Sequence, residues 1–85
     1  MADWRVEFSK EAYKSYQKLE IGYKAKIDQV FNWLIQHKRV DIKPIEGEKN
    51  IYRIRVGRYR ILIKLNNEKN VILVTRIKAR GNIYR

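Results

Sequence analysis

The sequence predicts an α+β domain, a small, mostly antiparallel sheet with a helical hairpin packed on one face. Three observations predict it. Apolar residues recur at helical spacing before Pro44, the single proline of the 85 residues. After Pro44 they alternate with polar and charged residues, as half-buried strands require. Turn residues then divide that alternating region into three runs. Hydrophobic residues make up 45% of the chain, which suits a folded core rather than disorder. At this length residues 1–85 make one domain with a thin core.

The elements follow in the order β-α-α-β-β-β. Asp3 to Phe8 alternates polar with apolar and predicts a first strand. Ser9 follows as a helix N-cap, its hydroxyl able to accept from a free backbone N–H. Ala12, Tyr13, Tyr16 and Leu19 mark one face of a first helix. Gly22 is the expected break before a second helix, where Ile27, Val30, Phe31, Leu34 and Ile35 recur at spacings of three and four. Lys24, Lys26, Asp28, Gln29, Asn32 and Gln36 fill its opposite side. Val40 to Asn50, with Pro44 and Gly47, reads as a connection. Ile51–Val56, Tyr59–Leu65 and Val71–Ile77 predict a meander turned at Gly57-Arg58 and at Asn66–Asn70. The helical stripe needs one apolar sheet face, which frees the other for a ligand.

Charge narrows the function. The net charge is +11. Residues 1–50 carry ten basic and eight acidic side chains, whereas residues 51–85 carry ten basic ones and one acid, Glu68. Charge so concentrated repels itself and is tolerated where a polyanion binds. Parity places Arg53 and Arg55 on one face, and Arg60 of the return strand joins them, because Tyr59, Ile61 and Ile63 face the core. Arg80 and Tyr84 lie just past the last strand, where a tail can fold over the same surface. Guanidinium forks bind phosphate oxygens bidentately and stay ionised among other cations. Clustered cations also stabilise charge that develops on a phosphorus centre. Arg58, Lys64, Arg76, Lys78 and Arg85 extend the basic surface as RNA-binding candidates.

Other chemistries lack their residues. There is no Cys, hence no disulfide, thiolate zinc site or cysteine nucleophile, and a reducing cytoplasm is the expected setting. No metal-ligand spacing, glycine-rich phosphate loop or Ser-His-Asp set is present, so no cofactor is expected. The N-terminus has no signal-peptide pattern. No run approaches the roughly 18 to 20 apolar residues that cross a bilayer. His37, the one histidine, reads as part of a basic helix end beside Lys38 and Arg39. Glu46 and Glu48 read as a solvated loop. Trp4, Phe31 and Trp33 read as core, and Tyr13, Tyr16 and Tyr23 as packing.

The segment Tyr52-Arg53-Ile54-Arg55-Val56-Gly57-Arg58-Tyr59-Arg60-Ile61-Leu62-Ile63 resembles the RelE/ParE toxin superfamily. So does the tail Arg76-Ile77-Lys78-Ala79-Arg80-Gly81-Asn82-Ile83-Tyr84-Arg85. The phrase from Val6 to Leu19 is similar to the family's opening, and the likeness covers nearly the whole chain. The resemblance implies a RelE-like fold and a type II toxin neutralised by an antitoxin. For the RelE-like branch it implies cutting of mRNA on the ribosome through the 2′-hydroxyl, without a metal. The family's site pattern then falls on Arg53, Arg55, Arg60, Arg80 and Tyr84. Arg60 and Arg80 would hold the scissile phosphate, and Arg53 and Arg55 the flanking ones. Tyr84 would stack on a base or move a proton. Many relatives carry Gly-His where this chain has Lys78-Ala79, so electrostatic stabilisation is expected to carry most of the rate. The ParE-like branch implies inhibition of DNA gyrase instead, and an RNA-binding homologue without catalysis is a third possibility. In each case the expected protein partner is acidic and amphipathic, matched to the arginine face.

Overall fold

Apolar residues two apart make strands and those three or four apart make helices, and both patterns lead to one core. The computed structural model describes residues 3–79. Along the chain lie β1 (Arg5–Phe8), α1 (Lys10–Gln17), α2 (Ile21–Ile35), β2 (Ile42–Pro44), β3 (Ile51–Val56), β4 (Tyr59–Asn66) and β5 (Val71–Ala79). Ser9 caps α1, its Oγ accepting from the Ala12 amide at 3.1 Å while donating to the Thr75 carbonyl at 3.0 Å. That one hydroxyl ties the helix start to β5.

The sheet order is β1-β5-β4-β3-β2. The β1–β5 pair is parallel and the other three are antiparallel. Ile54, Ile61, Ile63, Ile72, Val74 and Ile77 face inward and meet Ala12, Ile27 and Phe31 from the helices. Gly57 turns β3 into β4 with φ of 57°, a conformation that glycine adopts without strain. A Cβ there would meet Tyr23 Cε1 at 3.0 Å, so α2 bears directly on the hairpin tip. At the next turn the Asn66 Oδ1 accepts from the Glu68 and Lys69 amides, both at 3.1 Å.

Four expectations need correction. The 40–50 connection contains β2, a three-residue strand ending in Pro44; proline is tolerated there because β2 is an edge strand. Gly22 lies inside the first turn of α2, and the break falls before Ile21. Trp33 is 38% exposed. It stands two positions from buried Phe31, which turns it about 200° around the helix and away from the sheet. His37 has left the helix: with φ of 63° it takes the left-handed position beyond the C-terminus. There the His37 and Lys38 amides donate to the Leu34 and Trp33 carbonyls. Its role at the helix end is conformational, not that of a charge in the last turn.

β5 departs from strict alternation. Ile63 pairs with Val74 but Leu62 pairs with Arg76, which leaves Thr75 as an extra residue in the ladder. The Thr75 hydroxyl donates to the Leu62 carbonyl at 3.1 Å and pins the bulge. With Ile72 and Val74 inward, unbroken alternation would send Arg76 and Lys78 into the core. The bulge sends Ile77 inward instead and turns both cations outward.

Candidate nucleic-acid interface

Register sets the site. Residues paired across a ladder share a sheet face, so each rung can be followed from strand to strand. One rung of the face opposite α1 and α2 reads Arg55–Arg60–Lys78 across β3, β4 and β5. The next reads Lys43–Arg53–Leu62–Arg76 across β2 to β5. Neighbouring strands lie about 4.8 Å apart and successive same-face rungs about 7 Å. Three cations of the first rung and three of the second thus share a surface only a few strands wide.

Little on the protein offsets that charge. Among the described residues the salt bridges are Arg5–Glu7 at 3.0 Å and Arg76–Glu11 at 3.6 Å. Only Arg76 of the six cations takes part, and its bridge is exposed and weak. Arg53 is just 9% exposed. Its Nη1, and the Nε of Arg60, are buried without a hydrogen-bond partner among the described residues. Leaving a buried donor unsatisfied costs about 1–3 kcal/mol. Donors held so within a cationic face are satisfied by an anion that brings its own oxygens.

The residues chosen from sequence divide into four groups. Arg53, Arg55, Arg60, Arg76 and Lys78 are together on the two rungs. Lys64 is on the same face one rung further along, beside Ile51 and Leu73, and lines a separate hollow with Arg5 and Lys69. Arg58 sits exposed in the turn at the hairpin tip, off the ladder. Arg80, Tyr84 and Arg85 lie outside the described residues. Sequence reasoning missed Lys43, directly opposite Arg53. Only Ile42 beside Lys43 hinted at a strand there, and Pro44 masked it. It also missed the apolar part of the site. A concavity of about 260 Å³ is lined by Ile45, Arg60, Leu62, Arg76 and Lys78.

Chemically the face can bind oxyanions, orient them bidentately and stabilise added negative charge. His37 lies at the far end of α2, so the described part of the face offers no imidazole. Glu46 and Glu48 are exposed in the loop after β2. No helix among the described residues is long and apolar enough to cross a membrane.

Comparison with known proteins gives a consistent picture. The family profile described as "ParE toxin of type II toxin-antitoxin system, parDE" matches residues 3–84. The chain is 48% identical over 46 residues to Toxin RelE3 of Methanocaldococcus jannaschii, a stretch spanning 54% of this chain and 50% of that protein. The fold is similar to a chain of the RelB–RelE antitoxin–toxin complex from Methanococcus jannaschii, with a TM-score of 0.75 at 30% identity, covering 92% of this chain and 94% of that one. It is also similar to a chain of the archaeal RelE–RelB complex from Pyrococcus horikoshii, with a TM-score of 0.77 at 26% identity over 94% of this chain and 98% of that one.

Proposed function

Because the chain belongs to the ParE toxin family of type II toxin-antitoxin systems, we propose that it acts as an endoribonuclease on ribosome-bound mRNA and is held in check by an acidic antitoxin. One observation carries the reading: six cations share two adjacent rungs, and two of them keep buried guanidinium nitrogens without a partner among the described residues. That arrangement suits a phosphodiester better than a protein surface, where each donor would need a separately placed acceptor.

Cleavage would proceed by attack of an RNA 2′-oxygen on the adjacent phosphorus as its proton passes to solvent; the 5′-oxygen of the next nucleotide departs, takes a proton from solvent, and leaves a 2′,3′-cyclic phosphate. Arg60 and Arg53 would hold the non-bridging oxygens as charge grows on them, and Arg55 and Lys78 the flanking phosphates. Positioning by the ribosome would supply the in-line geometry that a shallow face cannot enforce alone. Arg80 and Tyr84 remain proposed participants from the tail. The similarity to chains from RelE–RelB complexes supports an antitoxin partner, and the sign of the face selects an acidic one.

A second reading has a specific observation behind it, since the matching profile bears the ParE name. In that case the target would be DNA gyrase. Primer extension on mRNA from cells expressing the chain separates the two. Discrete cuts within translated frames, lost in Arg60→Ala by at least about 100-fold as expected for a group stabilising the transition state, support the nuclease. Intact mRNA with a loss of plasmid negative supercoiling would replace it with the gyrase reading.

A further inference from the structure

Leu62 stands out on the basic face. Its ladder neighbours on either side are Arg53 and Arg76, so an aliphatic side chain sits between two guanidinium groups on the sheet face opposite the one that packs on α1 and α2. Ile45, just past β2, lines the same concavity, and both residues are half-buried. A site for phosphate alone would gain from a polar side chain at position 62. The apolar pair around the groove, with Arg60, Arg76 and Lys78 beside it, suits a ligand with a flat apolar face and an attached anion.

We propose that Ile45 and Leu62 form the seat of a nucleobase, so that this groove takes one whole nucleotide of single-stranded RNA and not merely its phosphate. The inference rests on the nuclease reading and deepens it by naming the unit recognised. A base presents an apolar ring face, which packs on aliphatic side chains as it does on aromatic ones. Its phosphate then lies within the arc of Arg60 and Lys78. The concavity of about 260 Å³ falls below the roughly 300–1,000 Å³ of pockets that enclose drug-sized ligands. That size suits one nucleotide. Bases within a duplex are stacked on one another and cannot present a ring face to the groove, so the ligand is an unpaired strand.

The test compares adenosine 3′-monophosphate, ribose 5-phosphate and inorganic phosphate as ligands of the intact chain, by NMR titration. The nucleotide is expected to bind about tenfold more tightly than either baseless anion, a gain at the lower end of that for base stacking. In the double variant Ile45→Ser with Leu62→Ser that advantage disappears while phosphate affinity does not fall, and Leu62→Met retains it. Ribose 5-phosphate gives the same reading on the wild-type chain should the double variant fold poorly. Equal binding of all three ligands overturns the base seat and leaves the nuclease reading standing. Binding of none removes the phosphate reading and the seat together. An acidic amphipathic peptide that binds through Ile45 and Leu62, where the nucleotide has no advantage over phosphate, overturns the seat by assigning it to a protein partner.

Discussion

A guanidinium nitrogen of Arg53 lies buried without a partner among the described residues, and methionine would bring no such donor. Arg53→Met is therefore expected to raise stability by about 1–2 kcal/mol while weakening RNA binding. Urea unfolding and RNA titration on the same preparation check both. A less stable variant would mean that the arginine is already satisfied within the protein. Tyr16 sets a different condition. Its hydroxyl donates to the two Asp28 carboxylate oxygens at 2.8 and 3.0 Å. Burial first, then the hydrogen bond and the Asp28 charge, push its pKa from 10.0 up to about 12. The folded state thus keeps a proton that the unfolded state loses. Its contribution is complete below pH 10 and fades as pH rises toward 12. The stability margin of the wild type over Tyr16→Phe should shrink across that window. A margin constant with pH would remove Tyr16 from the account.

At the scale of elements, the β3–β4 hairpin is fixed from outside by α2. The Tyr23 and Tyr59 rings meet edge to face at 4.7 Å, and Tyr23 closes off the space beside Gly57. Gly57→Ala combines a left-handed backbone with that contact, and should cost about 1–3 kcal/mol in the thermal or urea midpoint. Most elements were legible because burial enforces their period: β1, both helices and the meander follow from which residues had to face inward. What was not legible depends on contacts that no local pattern encodes. β2 forms because β3 offers an edge, and Pro44 hides it. Arg53 and Arg55 followed from parity, as did Arg60, but the outward turn of Arg76 and Lys78 depends on Thr75 being left out of the ladder. Leu62 and Ile45 looked like ordinary strand residues. Their place beside the cations becomes visible only once four strands are in register.

For the molecule as a whole, the two cationic rungs set a footprint of a few phosphates. Single-stranded RNA touching three or four of them should show a slope of log affinity against log salt of about −2 to −3. Lys43→Ala, which leaves the meander intact, should flatten that slope by about 0.7 and weaken all sequences alike. A slope unchanged by this substitution would place the RNA path away from β2. The sheet order carries a consequence for how the protein is made. Among the described strands β1 pairs with β5 alone, and Ser9 reaches Thr75 across 66 residues of chain. The first strand to leave the ribosome must wait for the fifth before it has a strand to pair with. Long-range closure of this kind comes late in folding. Until β5 has been synthesised through Ala79, the nascent chain has no complete cationic face.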